Sequence, residues 1–285
     1  MKLCRFLTPQ GTVSPGVTLD GVTVLELAVY GVQTLREVLE LEDPLRYLES
    51  LAEHTGRAHR LADVRLLAPV ELQEIWAAGV TYERSRAART QESQNAATVY
   101  DRVYEAERPE LFFKSLAEKV VDPGQAIGIR RDARNSVPEP ELALVINSRG
   151  RIVGHTLGND VTARDLEGDN PLYLPQAKIY DRSCAVGPWV RIGATENEVR
   201  AWSIRSAVHR SGRVVFSGEA PIRSVHRSFS DLVAFLHRSQ VFPHGAVLLT
   251  GTGIVPPPDF SLQPGDRVRV EIPEIGLLEN PVIQV

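Results

Sequence analysis

Only two cysteines, Cys4 and Cys184, occur in the 285 residues, and they stand far apart. That scarcity argues against a disulfide scaffold or a thiolate metal site and points to a reducing, cytoplasmic setting. No Cys or His spacing suggests zinc. No apolar run approaches the roughly 20 residues that a membrane helix needs. The first ten residues, MKLCRFLTPQ, lack the apolar core of a signal peptide. There is no basic block either. The 32 Lys and Arg are scattered among 36 Asp and Glu, and the net charge of −4 offers no footprint for nucleic acid. Repeats and low-complexity segments are also missing. What is present, 43% hydrophobic and 24% charged residues, is ordinary for a soluble globular protein.

The pattern along the chain is α+β. Residues 1–68 read as a small N-terminal α+β unit: GVTVLELAVYG is a strand with a change of direction. TLREVLELEDPLRYLESLAEHTG is helical, with Leu35, Val38, Leu39, Leu45, Leu48 and Leu51 as apolar positions and Pro44 as an interruption. Residues 69–285 form a second, predominantly β domain. Within it, residues 83–108 contain neither Gly nor Pro and read as a helical arm or lid, with Tyr100, Val103 and Tyr104 as a narrow apolar stripe. Beyond them, short β-branched runs alternate with Gly, Pro, Asn and Asp. NSRG and RSGR are hairpin turns. One helix is expected over Ser228–Ser239, capped by Ser228 or Ser230.

The stretch SVPEPELALVINSRG, Ser136 to Gly150, holds two glutamates two residues apart. Alternate strand residues share a face, so Glu139 and Glu141 look the same way. Pro140 between them marks a strand start or an edge, and an isolated E-x-E is most often a solvated edge. Asp160 follows nineteen residues after Glu141. Two strands joined at NSRG would bring it back beside the pair. Three converging carboxylates make a hard oxygen site suited to Mg²⁺, with Mn²⁺ or Ca²⁺ as alternatives. Asp165 is a further candidate, better read as a salt bridge or helix cap. Lys178, otherwise a surface charge, could neutralise such a cluster or polarise a substrate carbonyl. In LLTGTGIV, Gly251 permits close backbone approach and Thr252 could bond a ligand carboxylate; an ordinary strand-end turn is the plainer alternative.

Together, PEPELALVI, GNDVTARD, AKIYD, GPWV, LLTGTGIV and IGLLENPV resemble, in that order, the fumarylacetoacetate hydrolase superfamily. The resemblance covers the chain from about Trp76 to its end. It implies a mixed β-roll catalytic domain and a divalent metal on Glu139, Glu141 and Asp160. It also implies an α-keto acid or β-diketone substrate and a homodimer or homotetramer. Lys178 falls on the family's active-site lysine and Thr252 on its carboxylate-binding threonine. One departure matters. Hydrolytic members carry G-x-N-Y-x-x-H with a glutamate three residues after the histidine, a pair that activates water. Here GVTYERSRAART keeps Tyr82 but has Ser85 and Ala88 at those two positions.

Within the family, WAAGVTYERSRAAR, VYEAERPELFFKS, VPEPELA and ARDLEGDNPLYLPQAKIYDRSCAVGP resemble the 2-keto-3-deoxy-D-arabinonate dehydratases of pentose oxidation. That likeness implies a catalytic role for Glu110, which alone reads as surface charge, and adds Tyr82 and Arg86 as candidates to line the pocket. The implied reaction removes a C3 proton and the C4 hydroxyl of a five-carbon 2-keto acid, with Lys178 and Glu110 as the acid–base pair, and ends at 2,5-dioxopentanoate. An acylpyruvate hydrolase or oxaloacetate decarboxylase on the same scaffold is the enzymatic rival. A non-catalytic, α-keto acid-binding metalloprotein is the rival of another class.

Overall fold

The computed structural model describes residues 1–52, 56–83 and 102–285. A strand with no polar alternation must be covered on both faces, and Pro140–Ile146 is such a strand, buried at every position. It lies inside the largest sheet, between Ile152–Asp160 and Ala246–Leu249. Among the described residues this sheet has eleven strands. It is mixed: Ala246–Leu249 runs parallel to Glu74–Gly79, whereas Pro140–Ile146 is antiparallel to both of its neighbours. Leu142, Leu144 and Ile146 face one core, shared with Ile204, Val208, Val268 and Val270 of a second, five-stranded sheet. Ala143 and Val145 face the other core, shared with Leu3, Leu35, Val38 and Leu48 of the N-terminal segment. The chain is therefore α+β and mostly sheet, as expected.

The N-terminal segment continues the large sheet. Lys2–Leu7 pairs with Cys184–Ile192, with Lys2 opposite Arg191. Its helical stretch breaks where the proline predicts. Leu35–Leu39 ends first, and a second helix, Pro44–Ala52, begins at the proline itself, because a first-turn residue has no intrahelical use for its N–H. The expected helix near Ser228 is Phe229–His237, with the Ser228 side chain accepting from the Asp231 amide. Both expected hairpin turns form, at Asn147–Gly150 and at Arg210–Arg213. In the first, Gly150 takes a φ of +74°, and Asn147 Oδ1 accepts from the amides of Arg149 and Arg151.

That turn sets the register on which the site depends. Glu141 lies opposite Gly158, and Pro140 opposite Asn159. The hairpin thereby carries Asp160 back to Glu139, and the Asp160 amide donates to the Glu139 carbonyl at 3.0 Å.

His155, on the same return strand, is 2% exposed. Its ring packs edge-on to Trp202 at 6.1 Å and lies 6.5 Å from Phe229. Burial pushes its pKa down to about 4 from an ordinary 6.5. The unfolded chain therefore takes up this proton near pH 6.5, and the folded chain only near pH 4. Stability from keeping the ring neutral is fully present above pH 6.5 and is lost as pH falls toward 4, by at most about 3 kcal/mol. His155→Phe is expected to flatten this part of the stability profile. Urea unfolding at several pH values between 4 and 7.5 checks it; equal slopes in the variant and the parent would count against it.

Candidate active site

Glu139, Glu141 and Asp160 are 3%, 2% and 1% exposed, and one carboxylate oxygen of each lies within 4.8 Å of the others. The solvated-edge reading of the E-x-E pair is thus replaced by burial. Pro140 opens its strand, as expected for a residue that cannot donate to the ladder. Three buried like charges at this range repel strongly, so the local chain must supply compensation.

Lys178 supplies part of it. It ends the short helix Leu174–Lys178 and donates to Glu139 Oε2 at 2.7 Å, Asp160 Oδ2 at 2.9 Å and Thr162 Oγ1 at 2.8 Å. Three acceptors match the three N–H bonds of an ammonium group. The charge also sits 5.4 Å from the centre of the Phe112 ring, a favourable cation–π distance.

Two more cations complete the arrangement, and neither stood out in the sequence. Lys114 is fully buried and pairs with Asp160 Oδ1 at 2.5 Å, while also donating to the carbonyls of Val161 and Lys178. Arg164 donates to Glu139 Oε1 at 2.9 Å. Lys114 sits where the register of Glu110–Leu116 against Glu74–Gly79 slips, with Phe113 opposite Trp76 and Ser115 opposite Ile75. A bulge re-aims the extra residue's side chain, which alternation alone does not foresee. Arg164 follows Asp160 by four residues, and that proximity to a candidate ligand was the available signal.

Glu141 is treated differently. The Gly251 amide donates to its Oε2 at 2.5 Å, and among the described residues no cationic side chain pairs with it. Gly251 has a φ of +88°, a conformation that favours glycine, and a Cβ there would collide with the Thr81 hydroxyl. Burial first, then the charges of Asp160 and Glu139, push the Glu141 pKa well above the ordinary carboxylate range.

Glu110, Phe112, Glu167, Gly251 and Thr252 line the same cleft as the triad and Lys178. Glu110 lies opposite Gly79, and its carboxylate occupies the space that a side chain at Gly79 would fill. The Thr252 hydroxyl accepts from the Ile254 amide at 3.2 Å. Tyr82 is not among the residues lining the cleft. It is buried against Gly253, with its phenol pKa raised by burial and then by Glu141. Arg86 and residues 84–101 of the expected arm lie outside the described residues. Asp165 accepts from the Arg134 amide at 2.8 Å and has the structural role preferred for it.

The residues fit a divalent cation. Among the described residues, Lys178 pairs with Glu139 and Asp160, Lys114 with Asp160 and Arg164 with Glu139, while no cationic side chain pairs with Glu141. All the donors are hard oxygens, the ligands Mg²⁺ takes. A cation beside Glu141 would hold it ionised, which nothing else at that carboxylate does as strongly.

The family model described as "Fumarylacetoacetate (FAA) hydrolase C-terminal" matches residues 74–283, and one described as "Rv2993c-like, N-terminal" matches residues 1–69. The chain is 36% identical to the 2-dehydro-3-deoxy-D-arabinonate dehydratase of Saccharolobus solfataricus, over 99% of this chain and 96% of that protein. It is 46% identical to a probable 2-keto-3-deoxyxylonate dehydratase of Haloferax volcanii, over 76% and 74% of the two chains. A solved structure of 2-keto-3-deoxy-D-arabinonate dehydratase complexed with magnesium and 2,5-dioxopentanoate superposes with a TM-score of 0.83 at 33% identity, covering 100% of this chain and 99% of that one.

Glu141→Gln tests the electrostatics directly. Neutralising this carboxylate is expected to lower divalent-ion affinity by on the order of 100-fold. It should also raise the melting temperature in chelator, because the cost of burying a third carboxyl beside two carboxylates is gone. Isothermal titration with MgCl₂ and thermal melts in EDTA check both; an unchanged affinity would remove Glu141 from the ion site.

Proposed function

Because the chain belongs to the fumarylacetoacetate hydrolase family, we propose that it is a Mg²⁺-dependent dehydratase converting 2-dehydro-3-deoxy-D-arabinonate, a 2-keto-3-deoxy pentonate, to 2,5-dioxopentanoate. The observation that carries this reading is that the buried triad, Lys178 and Glu110 all face one cleft. The two dehydratase relatives carry names derived from different pentonates, but the 2-keto-3-deoxy acid keeps only the stereocentre at C4. The D-arabinonate and D-xylonate derivatives are therefore a single compound, and one pocket serves both names.

Glu139, Glu141 and Asp160 would hold the ion. When bound, Mg²⁺ supplies Lewis-acid stabilisation of negative charge developing on the 2-keto oxygen. Thr252 would bond the substrate carboxylate. Lys178, with acceptors around all three of its N–H bonds, is the protonated member of the acid–base pair, so Glu110 takes the C3 proton. Lys178 returns a proton to the C4 hydroxyl as it leaves as water. The neutral amine then accepts a C5 proton while Glu110 reprotonates C3. The double bond now joins C4 and C5, and the resulting enol ketonises to the C5 aldehyde. Loss of one water balances the reaction.

The hydrolytic alternative needs a base for water, and the sequence has Ser85 and Ala88 where hydrolytic members place the His–Glu pair. Both cysteines are free and buried, and no described helix is long and apolar enough to cross a membrane. We place the enzyme in the cytoplasm, as a homodimer or homotetramer; light scattering on the purified protein tests the assembly.

Incubation of 2-keto-3-deoxy-D-arabinonate with the protein and Mg²⁺ is expected to yield 2,5-dioxopentanoate. Pyruvate instead would identify the rival lyase or hydrolase chemistry, and no turnover would leave a binding protein. Glu110→Gln should keep Mg²⁺ and substrate affinity while kcat falls by roughly 100-fold or more; dehydration at the parental rate would remove Glu110 from the mechanism.

A further inference from the structure

We infer that Gly79 is a positioning residue for the reaction: the space left by its missing side chain seats the Glu110 carboxylate, and a larger residue there would turn that carboxylate aside while leaving the fold and the ion site intact. The inference rests on the role given to Glu110 above and concerns what holds that group in place.

Gly79 ends the strand Glu74–Gly79 and stands directly opposite Glu110, the first residue of Glu110–Leu116. Residues directly opposite each other in an antiparallel pair share a face, and both of these line the cleft with the triad and Lys178. Two residues along the same face, the centre of the Phe112 ring lies 5.4 Å from Lys178 Nζ. The Glu110 carboxylate folds across the opposite strand. A Cβ on Gly79 would stand 2.6 Å from the Glu110 carboxyl carbon and closer still to its Oε2. Those distances are far inside ordinary carbon contacts of about 3.5–4.0 Å. A side chain at position 79 and the carboxylate in its present place exclude one another.

The backbone does not ask for a glycine here. Unlike Gly251, Gly79 has no left-handed φ, and a glycine weakens the strand that carries it. The three atoms nearest to a Cβ at Gly79 all belong to the Glu110 side chain. Which of the two partners would yield follows from how each is held. Ala77 and Ala78 are buried, and Ala77 pairs with Leu249 on one side and Phe112 on the other. Just beyond Gly79, Val80 takes a φ of +52°, rare for a β-branched residue. The Thr81 hydroxyl donates to the Thr250 carbonyl at 2.6 Å, and the His226 amide donates to the Thr81 carbonyl at 2.9 Å. The strand is pinned before and after position 79, whereas the carboxylate ends a flexible stem. The carboxylate moves first.

The test compares full-length parent, Gly79→Ala, Glu110→Gln and the double variant on 2-keto-3-deoxy-D-arabinonate with Mg²⁺, alongside thermal melts and MgCl₂ titration. Gly79→Ala is expected to lower kcat by about 100-fold, the scale of a misplaced catalytic group. Its Mg²⁺ affinity should stay parental, and its melting temperature should hold or rise, because alanine suits a strand better than glycine. The double variant should be no slower than Glu110→Gln alone, since both changes remove the same group and neighbouring effects do not add. A glycine with only a structural role predicts the opposite pattern: a lower melting temperature and losses that multiply. Parental kcat in Gly79→Ala, multiplied losses in the double variant, or a Gly79→Ala chain that does not fold each overturn the inference and leave the proposed function standing. Parental turnover by Glu110→Gln removes Glu110 and Gly79 together from the mechanism. No turnover by the parent overturns the proposed function as well.

Discussion

The molecule is organised around the cost of burying three carboxylates together. Left alone, Glu139, Glu141 and Asp160 would repel one another and bind protons. The fold answers with Lys178 shared between Glu139 and Asp160, Lys114 behind Asp160, Arg164 behind Glu139, and a backbone amide behind Glu141. Compensation is uneven: among the described residues no cationic side chain pairs with Glu141. A site of this kind is attractive to a small divalent ion.

Holding such a cluster requires rigid supports, and the large sheet provides them. Pro140–Ile146 is clamped between two strands and covered on both faces, so Glu141 cannot turn out to solvent without unpairing the sheet. The hairpin partner Ile152–Asp160 delivers Asp160 at the level of Glu139, and Cys184–Ile192 holds that partner from its far side. The N-terminal segment joins the same sheet and closes the second core. It thereby contributes to the stiffness of the strands that carry the ligands, although none of its described side chains lines the cleft.

The link from site to chemistry is a division of labour among charges. A group engaged in three hydrogen bonds, as Lys178 is, suits the delivery of a proton and the stabilisation of developing negative charge. A carboxylate at the cleft beside Gly79, as Glu110 is, suits proton removal. The positions where hydrolytic members of the family place a water-activating pair hold Ser85 and Ala88.

Much of this could be read from the chain. Strand alternation, turn residues and the proline at 44 led to the hairpins, the broken helix and the α+β class, because these are local preferences of the backbone. The E-x-E pair, Asp160, Lys178 and Glu110 were recognisable from their residue types and from the motifs around them. Lys114 and Arg164 were not, since a charge read in sequence is a surface charge until something shows it buried against an opposite one. Tyr82 is buried against Gly253, a packing contact that its place in a motif does not reveal. The amino-acid order by itself determined which oxygens and ammonium groups were available and which strands would form. Only the tertiary structure, by setting strand register and turning Lys114 inward at a bulge, decided which charges meet, because Coulomb energies depend on distances between residues that lie far apart along the chain.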